Sequence, residues 1–132
     1  MLEKRLSRQA LVLLVVIGLF FHISETLHLY TEFWWVDVLL HFLAGALVGM
    51  TALIFWHHYY HGFALSKLKM IGLGVLFALF VGILWEIFEV HYGITFLSDG
   101  MAYIKDTSSD IMMDICGGFF GALYAFHSLK NE

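Results

Sequence analysis

The chain has 132 residues, of which 61% are hydrophobic and 14% charged, and its formal net charge is −4. Soluble domains carry about 25% charged residues, and short domains bury the smallest fraction of their surface in water. Together with a mean hydropathy of +0.82, this predicts one integral membrane domain over residues 1–132, surrounded by a lipid bilayer. The sequence has no basic stripe or tail, which argues against nucleic acid as a partner. The single cysteine, Cys116, excludes an internal disulfide.

Four apolar stretches approach the roughly 20 residues that a helix needs to cross a bilayer. They cover about residues 8–28, 34–56, 70–90 and 109–127. Only helices satisfy their own backbone groups in lipid, so the prediction is an all-α bundle of four transmembrane helices. The first stretch resembles a signal peptide but lacks a small-residue cleavage site, which favours a retained helix. Thr107 and Asp110 have the spacing of a capping box and predict that the fourth helix begins near them.

Charged residues are sorted between the two ends of these stretches. Lys and Arg mark the cytoplasmic side of membrane proteins, so both termini and the loop after Trp56 are predicted to be cytoplasmic. Three histidines, His57, His58 and His61, join that loop, where a solvated loop is favoured over a metal site. The basic end carries Lys4, Arg5, Arg8, Lys67, Lys69 and Lys130, together with Glu3 and Glu132. The opposite end carries Lys105 and nine acids: Glu25, Glu32, Asp37, Glu86, Glu89, Asp99, Asp106, Asp110 and Asp114.

Carboxylates recur on three of the predicted helices, each time with small residues deeper in the same helix. Residues three or four apart share a helix face, and small residues allow membrane helices to approach closely. If the small faces meet in the core, the acids and one histidine meet above them. This predicts a cluster of Asp37, His41, Glu86, Glu89, Asp106, Asp110 and Asp114 above Gly45, Gly49, Gly82, Gly117, Gly118 and Gly121.

Carboxylates gathered in this way repel one another unless they are protonated or bind a cation. Oxygen ligands suit Mg²⁺, Ca²⁺ or Mn²⁺, and an imidazole shifts the preference toward Mn²⁺, Fe²⁺ or Zn²⁺. The alternative is structural, because Asp106 and Asp110 also suit a helix start and Asp37 and Glu89 also suit the water interface. His41, Glu86 and Asp114 favour function most strongly, since each lies about a turn or more inside its span.

Two motifs resemble known membrane-protein families. Residues 37–45, Asp-Val-Leu-Leu-His-Phe-Leu-Ala-Gly, resemble the D-x-x-x-H-F-x-x-G helix start of VanZ-like small membrane proteins. Residues 85–89 with 106–117 resemble the W-E-x-x-E and D-x-x-x-D-x-x-x-D-x-x-G pattern of YjdF-type bacterial inner-membrane proteins. The resemblance covers about residues 34–124 and omits the first helix. It implies a bacterial inner-membrane location and, through VanZ-like members, a link to glycopeptide tolerance and the cell envelope, but no reaction. YjdF-type chains are longer, so this chain is expected to be a minimal core or to need an oligomer or partner.

Three functions are compatible with these residues. The leading hypothesis is a divalent-metal site at the outer face that binds or processes an amphipathic or lipid-linked ligand. A proton- or ion-coupled transporter would use His41, Glu86 and Asp114 as protonatable steps and would require an oligomer. An accessory or assembly subunit would use the acidic end to dock a partner membrane protein. Enzymatic activity stays undecided, because no Ser-His-Asp or Cys-His arrangement is visible and only Lys105 could hold a phosphate at that end.

Overall fold

The computed structural model describes residues 2–60 and 65–130, and every regular element in these two ranges is helical. The all-α prediction is therefore confirmed for this part of the chain. His61 and Glu132, which were assigned to the basic end, lie outside the described residues. The helices are α1 (Leu2–Thr26), α2 (Leu29–Glu32), α3 (Trp34–Tyr60), α4 (Lys67–His91) and α5 (Met101–Lys130), with a short 3₁₀ helix at Leu97–Asp99 before α5.

Three of the four long helices have the length and composition of membrane spans. Among the described residues these are Glu3–Thr26, Trp34–Tyr60 and Lys67–His91. The fourth long helix, α5, does not qualify; its first half carries three carboxylates and its second half contains three glycines. The coarser prediction of a membrane-spanning helical bundle is supported, whereas a fourth span in α5 stays a proposal.

The predicted start of the last helix is wrong. α5 begins at Met101, well before Thr107 and Asp110, so these two residues do not form a capping box. Asp106 is likewise a helical residue and not part of a preceding loop. The histidine loop is also corrected, because α3 continues to Tyr60 and includes His57 and His58 in its last turn.

Helices α3, α4 and α5 pack against one another as a three-helix core, and α3 and α5 share the most extensive interface. Their backbones approach so closely that side chains are excluded at the contact. A Cβ atom at Gly45 would overlap the backbone of Asp114, and one at Gly121 would overlap the backbone of Ala46. Close backbone approach through small residues is how membrane helices gain packing energy without a hydrophobic difference from lipid. The same contacts fix the register of α3 against α5.

Helix α1 lies against this core, mainly on α3 with a smaller contact to α5. Its first turns reach the end of the bundle where α3 and α5 finish and α4 begins. There the Glu3 carboxylate lies 2.8 Å from His58 Nδ1 and 3.6 Å from His57 Nδ1. This part of the molecule, hereafter the apolar end, buries Leu6, Ala10, Met50, Leu53, Met70, Ile71, Ala122, Ala125, Phe126 and Leu129.

Candidate functional site

The opposite end of the core gathers the predicted polar residues and is hereafter called the acidic end. α3 begins there, α4 finishes there, and the first half of α5 descends from it. Seven residues define the acidic end: Asp37 and His41 on α3, Glu86 and Glu89 on α4, and Asp106, Asp110 and Asp114 on α5. Four of them, His41, Glu86, Asp110 and Asp114, are buried. Because α3 and α5 both run from this end of the core toward the other, a residue deeper in α3 faces one deeper in α5.

The deepest pair of the acidic end is His41 with Asp114. His41 Nδ1 lies 3.1 Å from Asp114 Oδ2, and the side chains are only 6% and 5% exposed. An ionised Asp114 accepts this hydrogen bond, with Nδ1 of His41 as the donor. Gly82 of α4 leaves the space for this carboxylate, because a Cβ atom at Gly82 would overlap Asp114 Oδ2. The pair thus joins α3 to α5, and the absence of a side chain at Gly82 of α4 leaves room for it.

This hydrogen bond decides what the other side of the imidazole can do. With the hydrogen on Nδ1, a neutral His41 presents the lone pair of Nε2. Nε2 lies 3.7 Å from Asp37 Oδ1, one turn earlier in α3. Asp37, His41 and Asp110 each offer a ligand atom within 4.8 Å of the others. A carboxylate that orients a histidine whose second nitrogen faces further ligands is the usual outer-shell arrangement of metal-binding histidines.

Glu86 lies beside this group, held by a residue of α5. Its Oε2 accepts a hydrogen bond from Thr107 Oγ1 at 2.6 Å. A hydroxyl that donates to a carboxylate at this distance forms a strong, charge-assisted hydrogen bond. The other oxygen, Oε1, is buried and has no hydrogen-bond partner among residues 2–60 and 65–130. Thr107, interpreted from the sequence as a helix start, instead positions this carboxylate.

The remaining two predicted site residues lie at the rim. Asp106 is exposed to solvent. Glu89 is half-buried, and its Oε1 accepts a hydrogen bond from Trp85 Nε1 at 3.0 Å. The structure therefore brings Asp37, His41, Asp110 and Asp114 into direct proximity, places Glu86 against the same face of α5, and leaves Asp106 and Glu89 further out. Glu25, Glu32 and Asp99 are exposed.

Tyr30 is a rim residue that the sequence analysis missed. It belongs to α2, in the segment that joins the first two long helices, and its ring contacts Phe21 of α1 with a centroid distance of 6.3 Å. Phe21 in turn makes an edge contact with Trp85 at 6.2 Å. Burial raises the pKa of Tyr30, and the carboxylates of Asp37, Glu25 and Glu89 raise it further. The only sequence signal for Tyr30 was its position between Glu25 and Asp37.

Comparison with known proteins identifies the family but adds no activity. No curated protein and no solved structure matches the chain. One family model, described as a predicted membrane protein (DUF2238), matches residues 4–131. The match includes α1, which the motif resemblance had omitted, and by itself supports neither a VanZ-like nor a YjdF-type assignment. Because the match covers nearly the whole chain, the protein belongs to the DUF2238 family of predicted membrane proteins.

Proposed function

We propose that this membrane protein binds a divalent cation at the acidic end through Asp37, His41 and Asp110. One observation carries the proposal: the three residues offer ligand atoms within 4.8 Å of one another, while Asp114 holds the far nitrogen of His41 at 3.1 Å. The ligand set comes from two helices whose register is fixed by backbone contact, so it is preorganised. His41 Nε2 and the carboxylates of Asp37 and Asp110 supply the first ligands, and Asp114 orients the imidazole.

The charges of Asp37, His41 and Asp110 support a bound cation. The lone pair of a neutral His41 points toward two carboxylates, and these groups repel one another unless a positive charge lies between them. An imidazolium would supply one positive charge, and a divalent cation supplies two. Mixed carboxylate and imidazole ligands favour Mn²⁺, Fe²⁺ or Zn²⁺ over Mg²⁺ or Ca²⁺. Three protein ligands also leave coordination positions open, as in metal sites that bind a further ligand.

The orientation of the site in the membrane follows from charge. Five basic residues lie in the first two turns of α1 and α4, at the end opposite the acids: Lys4, Arg5, Arg8, Lys67 and Lys69. With these residues cytoplasmic, the cation site opens on the extracytoplasmic face, and both termini are cytoplasmic if α5 crosses as a fourth span. An anionic or lipid-linked headgroup at that interface would reach the open positions of the cation.

An ion-coupled carrier is the alternative, and the buried pair of His41 with Asp114 favours it as a protonatable step. Below this pair, however, the described helices meet through backbone contacts and the apolar end, including Leu53 and Met70 at 0% exposure. A conducting path would require these helices to separate. A one-sided binding site requires no such movement.

The test is a Mn²⁺ titration of chelator-treated, detergent-purified protein, with bound ion counted by electron paramagnetic resonance. We expect at least one ion per chain in the wild type and a loss of affinity of at least tenfold in His41→Gln and Asp110→Asn. Asp99→Asn removes an exposed carboxylate from the short 3₁₀ helix and is the matched control, which should bind as the wild type does.

Two outcomes would contradict the proposal. The proposal is refuted if folded wild-type protein binds no divalent cation. If such protein also carries protons into liposomes, and His41→Gln abolishes that flux, the carrier takes its place. Equal losses of binding in Asp99→Asn and Asp110→Asn would show that binding reflects surface charge and not the ligand set.

A further inference from the structure

Among the described residues, Glu86 is the one buried carboxylate whose position a single cation does not explain. It is 5% exposed, yet it is not one of the three residues whose ligand atoms lie within 4.8 Å of one another. Its Oε2 is held by Thr107, which leaves Oε1 buried and unpartnered among the described residues. An ionised oxygen in that state is costly, so the position of Oε1 points to a bound group.

The helix geometry shows where that group would lie. Thr107 and Asp110 are three residues apart and share a face of α5. Glu86 reaches this face from α4, and its Oε2 contacts Thr107 there. Asp37 and His41 reach Asp110 from α3. Glu86 thus contacts, through Thr107, the face of α5 that also carries Asp110, and its Oε1 has no partner among the described residues.

One divalent cation does not neutralise the cluster when its carboxylates are ionised. When ionised, four carboxylates of the cluster carry four negative charges: Asp37, Glu86, Asp110 and Asp114. Among the seven residues that define the acidic end, His41 is the only base. One divalent cation offsets half of this charge. The remainder would be held in a largely buried place, where uncompensated charge is strongly disfavoured. A second divalent cation offsets it completely.

We propose that Glu86 and Asp110 hold a second divalent cation, so that the acidic end is a two-cation site bridged by Asp110. The inference rests on the proposed function, because the first cation is the one bound by Asp37, His41 and Asp110. The second position offers carboxylate oxygens only and suits a hard cation such as Mn²⁺ or Mg²⁺. Carboxylate-bridged cations lie roughly 3.5–4 Å apart and clamp the oxygens of a phosphoryl group or an attacking water.

The experiment counts ions in the full-length protein. Chelator-treated wild type is titrated with Mn²⁺, and bound ion is measured by elemental analysis and electron paramagnetic resonance. We expect two ions per chain and, at saturation, the many-line spectrum of two exchange-coupled Mn²⁺ ions. Glu86→Gln preserves the size of the side chain and an acceptor for Thr107, and it should bind one ion with the six-line spectrum of an isolated site. Glu32→Gln, which removes an exposed acid on α2, should still bind two.

The outcomes separate this inference from the proposed function. One ion per chain in both the wild type and Glu86→Gln overturns the second position and leaves the first intact. No ion in folded wild type overturns both. A folded Glu86→Gln that binds nothing also overturns the inference, because Glu86 would then belong to a single site. The coupled spectrum needs only wild-type protein, so the inference is tested even if Glu86→Gln does not fold, and a six-line spectrum at saturation contradicts it.

Discussion

The two ends of the three-helix core bury opposite kinds of side chain. At the apolar end, Leu53, Met70, Ala122 and Ala125 are fully buried, and their dispersion contacts stabilise the fold. At the acidic end, Asp110 and Asp114 are buried almost as deeply, at 2% and 4% exposure. Buried carboxylates cost free energy unless they are paired or bind a cation. The apolar end therefore explains why the bundle forms, whereas the acidic end requires a reason beyond folding, and a cation supplies one.

The largest loss of stability is expected from a substitution where the helix backbones meet, on the apolar side of the acidic cluster. Gly121→Val places a branched side chain against the backbone of Ala46, which no rotamer change can relieve. Overpacking of this kind costs roughly 3 kcal/mol or more, and we expect most of the variant to unfold early in a detergent-to-dodecyl-sulfate titration followed by circular dichroism.

Gly72→Val is the matched control for this substitution. Gly72 also lies in a helix, but a Cβ atom there meets nothing within 4 Å. We expect this variant to unfold within about 1 kcal/mol of the wild type, because glycine and valine differ by less than that in helix propensity. Equal destabilisation at both positions would show that helix propensity, and not the contact between α3 and α5, decides the result.

At the acidic end, whether a substitution raises or lowers the free energy of unfolding should depend on the cation. In metal-free protein, Asp110→Asn removes one negative charge from beside Asp37 and His41, and we expect it to raise the free energy of unfolding by on the order of 1 kcal/mol. With saturating Mn²⁺ the wild type gains stability through binding, and the variant gains less. The two unfolding curves should therefore exchange order when Mn²⁺ is added.

Asp99→Asn should show no such exchange, because Asp99 is exposed and outside the cluster. If metal-free Asp110→Asn is less stable than the wild type, the buried carboxylate does not cost the fold free energy, which contradicts the contrast drawn between the two ends. In that case the carboxylate would stabilise the fold through its own contacts.

Local spacing predicted the parts of this architecture that depend on one helix at a time. Asp37 and His41 share a face because they are four apart, and α3 and α4 are close to their predicted ranges of 34–56 and 70–90. The start of α5 was missed because Thr107 and Asp110 suit a helix cap as well as a helix interior. In the structure, Thr107 instead donates to Glu86 across the helix interface.

Contacts between distant residues could not be predicted from spacing. His41 and Asp114 are 73 residues apart, and their pairing depends on the register that Gly45 and Gly121 impose between α3 and α5. The sequence indicated that small residues would allow close approach, but several registers satisfy that requirement. The seven predicted site residues therefore separate into an inner group and a rim that only the packed helices distinguish.

The smallest effect is expected at the rim, from Tyr30→Phe. Burial and the charges of Asp37, Glu25 and Glu89 raise the pKa of Tyr30 above its ordinary value of 10.0. A raised pKa in the folded state gives stability that is complete below the unfolded value and is lost as the pH rises through the folded value. The wild type should therefore lose stability above about pH 10, and Tyr30→Phe should lose less. The difference should be below about 1 kcal/mol, because Tyr30 is partly exposed and solvent screens these charges.

Tyr59→Phe, at an exposed tyrosine near the other end of α3, should follow the wild type. If Tyr30→Phe follows it as well, the carboxylates do not act on Tyr30, and the rim does not extend to α2.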